Sequence, residues 1–175
     1  MFQAQWSPAF YAESGTALKG QYQVGGWFYS GYNVGGIGNS TRENTYGLYL
    51  QCQQTIWQSS DNKSISLWAG LQYAPLESVN AVSYMAYACV RFKGFTPTRP
   101  NDALFFSWTG GLFSENYKTA SGERASCENI VELTYVIQLN KNISIQSDLQ
   151  YVITPNGDKN IDNALVVGGQ LVVSF

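Results

Sequence analysis

The stretch ISIQSDLQYVI, Ile143–Ile153, alternates almost residue by residue between apolar and polar. Ile143, Ile145, Leu149, Tyr151 and Ile153 fall on one face of an extended chain, and Ser144, Gln146, Asp148 and Gln150 on the other. A period of two is the signature of a β-strand with two different surroundings. In a soluble sandwich the amide-lined face meets bulk water, whereas in a transmembrane barrel it meets a water-filled lumen. The two environments require different neighbours, so the rest of the chain decides between them.

Composition narrows the field. With 175 residues and no linker-like run, a single domain spanning 1–175 is expected. Charged residues make up 13% of the chain, about half the share usual in soluble proteins, while 15% is aromatic. No run approaches the roughly 18–20 apolar residues of a membrane helix, which excludes an α-helical membrane protein. A net charge of −2 and a pI near 5.0 supply no basic footprint, so nucleic acid is not an expected partner. The chain has no His, and Cys52, Cys89 and Cys127 are too widely spaced for a CxxC-type site. No metal or other cofactor is expected. The opening MFQAQWSPAF has no basic n-region followed by an apolar h-region, so an export signal is expected to have been removed or to belong to a longer precursor.

Period two recurs along most of the chain, and eight strands are predicted: Leu18–Ser30, Asn44–Trp57, Ser64–Tyr73, Val82–Lys93, Asp102–Phe113, Glu128–Leu139, Asn142–Ile153 and Ala164–Phe175. Most are about twice the usual strand length and close to the roughly 9–11 residues that cross a bilayer at a tilt. Their faces agree. Tyr46, Leu48, Leu50, Cys52 and Ile56 oppose Gly47, Tyr49, Gln51, Gln53 and Thr55, and Val131, Leu133, Tyr135 and Ile137 oppose Glu128, Glu132, Thr134 and Gln138. The fifth strand is less regular, because Phe105 and Phe113 share the polar side with Ser107 and Thr109.

The links between strands add a separate test, since outer-membrane barrels alternate short periplasmic turns with longer external loops. TPNGDKNIDN, SENYKTASGERASC and GYNVGGIGNSTRE fall on the long side, and NKN around Lys141 and QSSDNK on the short side. APLESVN and GFTPTRPN are similar in length and do not discriminate. The chain stops at Phe175, on the face of Leu165, Val167, Leu171 and Val173, and a terminal aromatic on an amphipathic strand is how such barrels commonly close. The fold class expected is therefore all-β, a transmembrane antiparallel barrel of outer-membrane type.

ENIVELTYVIQLNKNISIQSDLQYVITPNG resembles the C-terminal part of the carbohydrate-selective porins, the OprB-like glucose porin family. In that family an E-x-x-[IV]-E-x-x-Y strand precedes a Q-x-D-x-Q-Y-[IV]-x-x-P strand. The resemblance continues upstream through GQYQVGGWFYSG, YGLYLQCQQTIW, SLWAGLQYAPLESVN and FKGFTPTRPNDALFFSWTGGLFS, and covers nearly everything after about Gly20. Ser147 stands where the family pattern has Pro, and three cysteines are untypical. The resemblance implies a barrel of about sixteen strands and more than twice this length, of which the chain supplies the C-terminal half. An eight-stranded barrel is only just wide enough inside for its own side chains. A fragment, a split chain completed by another polypeptide, or a reduced relative is therefore expected.

The polar face has the chemistry of a weak sugar path. Amides bond hydroxyls, aromatic faces stack on the C–H side of a pyranose, and a pore needs sites weak enough to leave. The expected lining residues are Gln51, Gln53, Trp68, Gln72, Arg91, Lys93, Glu128, Glu132, Gln146, Asp148 and Gln150, with Gln21, Gln23 and Tyr49 beside them. Arg91 and Lys93 on one strand and Glu128 and Glu132 on another would set a field across a constriction. The plainer reading of the same amides is that they bond one another and support the wall.

Other constellations are weaker. Glu128 and Glu132 lie about 13 Å apart by strand rise, beyond the roughly 6.5–9.5 Å of an inverting glycosidase. GGIGNST lacks the G-K-[ST] of a phosphate loop. TPTRPND reads as a rigid turn, with Arg99 pairing Asp102 or touching lipid headgroups. The sequons at Asn39, Asn62 and Asn142 read as chance. Cys52 is expected to face lipid, Cys89 the lumen, and Cys127 an external strand end.

The function expected is an outer-membrane porin passing sugars and other small polar solutes by diffusion, located in the bacterial outer membrane. Its partners would be membrane lipid, small sugars, and the missing barrel half or identical subunits. Two rivals are a plugged eight-stranded structural or adhesion barrel and a soluble β-barrel that binds an apolar ligand. An enzyme is disfavoured because no nucleophile, base and orienting group occur together. The barrel reading predicts extraction only with detergent and a folded form that migrates differently from the boiled form on a gel. Solubility without detergent would select the soluble rival.

Overall fold

The structure is a computed structural model that describes residues 1–12, 15–35, 37, 41–59, 63–122 and 124–174, with backbone alone at 31–35 and 41–43. Among the described residues ten strands follow one another: β1 (Phe2–Trp6), β2 (Ala9–Tyr11), β3 (Ala17–Gly35), β4 (Thr41–Gln58), β5 (Ser64–Tyr73), β6 (Val82–Lys93), β7 (Ala103–Phe113), β8 (Cys127–Gln138), β9 (Ile143–Ile153) and β10 (Ala164–Val173). Each pairs antiparallel with its predecessor, except that β1 and β2 lie end to end along the same edge of β3. The result is a single up-and-down sheet. Among the described residues β10 pairs only with β9, and no pairing joins β10 to β1, so the sheet is open at both edges.

The eight predicted strands correspond to β3–β10, with two corrections. The first is the count, which rises to ten because Phe2–Trp6 and Ala9–Tyr11 also join the sheet. FQAQW alternates like the others, but it is short and interrupted at Ser7 and Pro8, where Pro lacks a ladder donor. The second concerns the long external link expected at residues 31–43. Much of it is strand instead: β3 and β4 run to 19 and 18 residues and still pair at Val34↔Arg42 and Gly35↔Thr41, past an irregularity that begins after Ser30. Glycines that read as a loop are tolerated here because cross-strand pairing, not local preference, holds the extended backbone. Phe175 and the sequons at Asn39 and Asn62 lie outside the described residues.

Almost nothing apolar is buried. Among the described residues the core consists of Ala103 and Ala125, while Leu48, Leu50, Leu71, Phe106, Leu165 and Val167 are exposed. A one-layer sheet has no second layer to receive its greasy face. The row Tyr22↔Cys52↔Ala69↔Ala88↔Trp108↔Val131↔Tyr151↔Leu165 runs across that face through seven successive pairings. So large a contiguous apolar surface is not sustained in water and is what lipid requires.

The two ends of the sheet are secured by different contacts. On the side of the short links, Asp102 is buried and gathers four donors. Its carboxylate accepts from Arg99 Nε at 2.5 Å and Nη2 at 3.2 Å, from Tyr135 Oη at 2.8 Å and from the Gln138 amide at 2.9 Å. The TPTRPND turn is thus pinned to β8, and Arg99 takes the first of its two expected partners. On the long side the links interlock. Ser114 caps α1 (Glu115–Ala120) by accepting from the Tyr117 amide and donates its own amide to Ala81 O at 2.8 Å, while Glu77 accepts the Glu115 amide at 3.3 Å. The Ser126 amide donates to Gly157 O at 3.0 Å. Gly157 has φ of +71°, and a Cβ there would stand 2.6 Å from Ser126 N, so both conformation and space demand glycine.

Arg99, with the Gln138 amide and Tyr135 hydroxyl, holds the Asp102 carboxyl below its usual range against the opposing effect of burial. A lowered carboxyl contributes its full stabilisation above the unfolded pKa, near 3.8, and loses it as pH falls through the lower folded value. Asp102→Ala is expected to cost on the order of 1.5–3 kcal/mol at pH 7, as lost charge-assisted hydrogen bonds do. The heat-modifiability midpoint should fall at pH 7, and the gap to wild type should close under acid conditions.

Candidate functional site

Strand register puts all eleven expected lining residues on one face. Gln53, Trp68, Cys89, Ser107, Glu132 and Gln150 form one cross-strand row. One step toward the short links, Arg91, Phe105, Thr134 and Asp148 form a second, and beyond it Lys93, Ala103, Val136 and Gln146 a third. Toward the long links, Gln51 is aligned with Gly70 and Tyr87, and Gln72 with Met85, Gly111 and Glu128. Parity carries each side chain to the same side, because successive residues of a pleated strand point opposite ways.

Three clusters form on this face. The first is a run of amides. Gln21 and Gln23 donate to Gln5 Oε1 at 3.1 and 2.8 Å, Gln51 Nε2 donates to Gln23 Oε1, and Tyr87 Oη donates to Gln51 Oε1 at 2.9 Å. Tyr87 reaches Gln51 because Gly70 stands between them in register; a Cβ on Gly70 would lie 2.4 Å from the Tyr87 ring. The same device recurs at Gly25, which Tyr49 crosses to donate to Gln3 Oε1 at 3.0 Å. A depression of about 140 Å³ opens among Gln21, Gln23, Gln51, Gln53, Trp68 and Tyr87.

The second cluster is aromatic with a cationic cover. The Trp68 and Phe105 rings lie 6.2 Å apart, and the Arg91 guanidinium stands 5.7 Å from the Phe105 centroid. Arg91 Nε is buried and has no hydrogen-bond partner among the described residues. The third is acidic. Glu132 accepts from Thr134 Oγ1 at 2.5 Å and from Gln150 Nε2 at 3.3 Å, and the same Gln150 amide lies 3.4 Å from Asp148 Oδ2.

Arg91 and Asp148 share one row three strand spacings apart, about 14 Å, so opposite charges sit side by side on one wall rather than across a gap. Glu128 stands apart from the other acids, holding the Asn156 amide at 2.7 Å and so anchoring the β9–β10 link. The two glutamates serve different partners, as wall charges do. Cys52 lies on the apolar face and Cys89 on the polar one, and Cys127, at the long-link end of β8, shares the apolar face of Val131. All three thiols are free, and Cys89 and Cys127 are on opposite faces. A larger depression of about 690 Å³, between Leu50, Leu71, Ala86 and Leu112, belongs to the apolar face and offers a polar solute almost no partners.

Sequence reasoning missed Gln3, Gln5, Tyr87 and Phe105 as members of these clusters. Tyr87 was open to discovery, since it shares the parity of Cys89 and Arg91. Phe105 looked like an irregularity because an aromatic on a polar face has no meaning until Trp68 and Arg91 are beside it. Gln3 and Gln5 depend on a strand that went unrecognised.

Three comparisons bear on this geometry. The family model described as "Carbohydrate-selective porin, OprB family" matches residues 1–175. The putative porin QuiX of Acinetobacter baylyi is 22% identical over 192 residues, a match covering 97% of this chain and 43% of that protein. The high-pH structure of Pseudomonas putida OprB superimposes with a TM-score of 0.80 at 22% identity, covering 99% of this chain and 47% of the other. The chain thus spans about half the length of the relatives it matches, and the fold it shares with OprB is part of a porin fold. With a family model matched along its entire length, the chain belongs to the OprB family of carbohydrate-selective porins, outer-membrane proteins of Gram-negative bacteria.

Proposed function

We propose that the polar face of this sheet is half the wall of an outer-membrane channel through which sugars and other small polar solutes diffuse. Lipid covers the apolar face, further barrel strands meet the two edges, and no bond is made or broken in the solute. The observation that carries this reading is the single polar face running from β3 to β9, lined by amides, the Trp68–Phe105 pair and charges of both signs. The face has amide and carboxylate acceptors at many heights, which suits weak, repeated contacts and easy release.

Within that wall the residues have separate tasks. Gln51, Gln53 and Gln72, with Gln146 and Gln150, present donors and acceptors to hydroxyls, and Trp68 presents a ring face. Arg91, held over Phe105, gives this part of the wall its positive charge. Lys93, Glu128, Glu132 and Asp148 shape the field, and their mixed signs on one wall favour neutral polar solutes over ions.

Liposome swelling with the assembled barrel containing this chain tests the reading. Mono- and disaccharides are expected to produce swelling, and Gln51→Leu to weaken half-saturation about two- to tenfold, the loss of one hydrogen bond. An assembled barrel that passes ions but no sugar would refute it. Arg91→Glu is expected to move the zero-current potential under a salt gradient toward cation preference. Gly70→Val should displace Tyr87 from Gln51 and lower stability by about 1–3 kcal/mol through overpacking, read as a lower heat-modifiability midpoint.

A further inference from the structure

Near the short-link rim of the apolar face, Trp57, Ile65, Phe92, Leu104 and Tyr135 form one cross-strand row. The β6–β7 link folds back over it, with the Phe95 ring 5.8 Å from that of Trp57 and, edge-on, 6.0 Å from that of Phe92. Between row and link lies a groove of about 340 Å³ lined by Phe92, Phe95, Thr96, Leu104 and Tyr135. Phe95 and Leu104 are both exposed. The two polar residues of the lining lead out of the groove to a charge. Thr96 Oγ1 and Tyr135 Oη lie 2.9 Å apart, and Tyr135 Oη donates at 2.8 Å to the Asp102 carboxylate that also holds Arg99. Asp102 has the parity of Leu104 and Phe106, so this ion pair sits on the apolar side of the wall.

The pair is lopsided. The Asp102 side chain is 1% exposed and that of Arg99 40%. Asp102 also spreads its charge over the Tyr135 hydroxyl and the Gln138 amide, while Arg99 commits Nε and Nη2 and keeps the rest of its five N–H donors. Positive charge with spare donors is what the rim presents outward. The turn that carries it is held in place: Arg99 N donates to Thr96 O at 3.1 Å, Asp102 N to Arg99 O at 3.2 Å, and Thr98 between them takes φ of +63°, a region that disfavours a β-branched residue. An exposed guanidinium beside an apolar groove, at the level where barrels place their aromatic girdle, complements a molecule with an anion at one end and hydrocarbon at the other. The planar fork of Arg suits phosphate in particular. We infer that this rim binds one glycerophospholipid of the periplasmic leaflet, its phosphate on the free edge of Arg99 and one acyl chain in the groove between Phe92, Leu104 and Phe95. The site needs the outer-membrane setting that family membership supplies and is independent of what passes along the polar face.

Native mass spectrometry tests the site on the assembled barrel containing this chain, stripped of lipid in detergent and titrated with dioleoylphosphatidylglycerol. Wild type is expected to retain one lipid at least fivefold more strongly than Arg99→Gln, which removes the phosphate contact, and than Leu104→Trp, which fills the groove and leaves the Arg99–Asp102 pair in place. Dioleoylglycerol, which has the chains without the phosphate, should be retained at least fivefold less than the phospholipid, and an equimolar excess of inorganic phosphate should not displace it. Equal retention by wild type and Leu104→Trp would overturn the inference. So would equal retention of dioleoylglycerol, displacement by inorganic phosphate, or a wild type that holds no lipid. A dimer of barrels that Leu104→Trp breaks would assign the groove to a second copy and refute the lipid site.

Discussion

Everything in this fold depends on one constraint, that backbone amides and carbonyls at membrane depth must find partners in the protein. Hydrocarbon offers them none, and the cost of leaving one unpaired exceeds what any single side-chain contact returns. A strand satisfies half of its groups on each side, so every strand needs two neighbours. From β3 to β9 both are present, and the continuous registers of the ladder are the consequence. The edges at β1–β2 and β10 are where the constraint is not yet met.

Because the ladder holds the backbone, side chains are released from making a core. Only two apolar residues are buried among those described, and stability comes from hydrogen bonds, cross-strand pairs and lipid contact rather than from an interior. That freedom shows on the polar face. Tyr87 lies across Gly70 and Tyr49 across Gly25, each using the space of an absent side chain to reach an amide two strands away. The same glycines would be weak points in a strand judged by local preference. Here they give long side chains a flat route over the wall. The ends of the sheet are secured differently, with Asp102 collecting donors at one end and the Ser114, Glu77 and Gly157 contacts tying the long links together at the other.

Alternation in Ile143–Ile153 was legible because each position has one of two surroundings, and a period of two records which. It located the eight long strands and placed eleven lining residues on a common face without any knowledge of their neighbours. Short or interrupted segments such as Phe2–Trp6 and Ala9–Tyr11 carry too few periods to be read, and the glycine-rich stretch around Gly35 reads as loop on local preference alone. Contacts between strands leave no periodic trace. Neither the meeting of Arg91 with Phe105 nor the diversion of Glu128 to Asn156 could be seen before the register was known.

The sequence by itself determined the strand periodicity, the two-faced character of the sheet and the side on which each residue would project, since these depend on one residue and its immediate neighbours along the chain. Tertiary structure alone decided which rows align, that opposite charges lie side by side on one wall, and that the first and last strand positions run in the same direction. Register and direction depend on pairing between residues far apart in the chain, and a one-residue slip would have turned every amide of a strand from water to lipid.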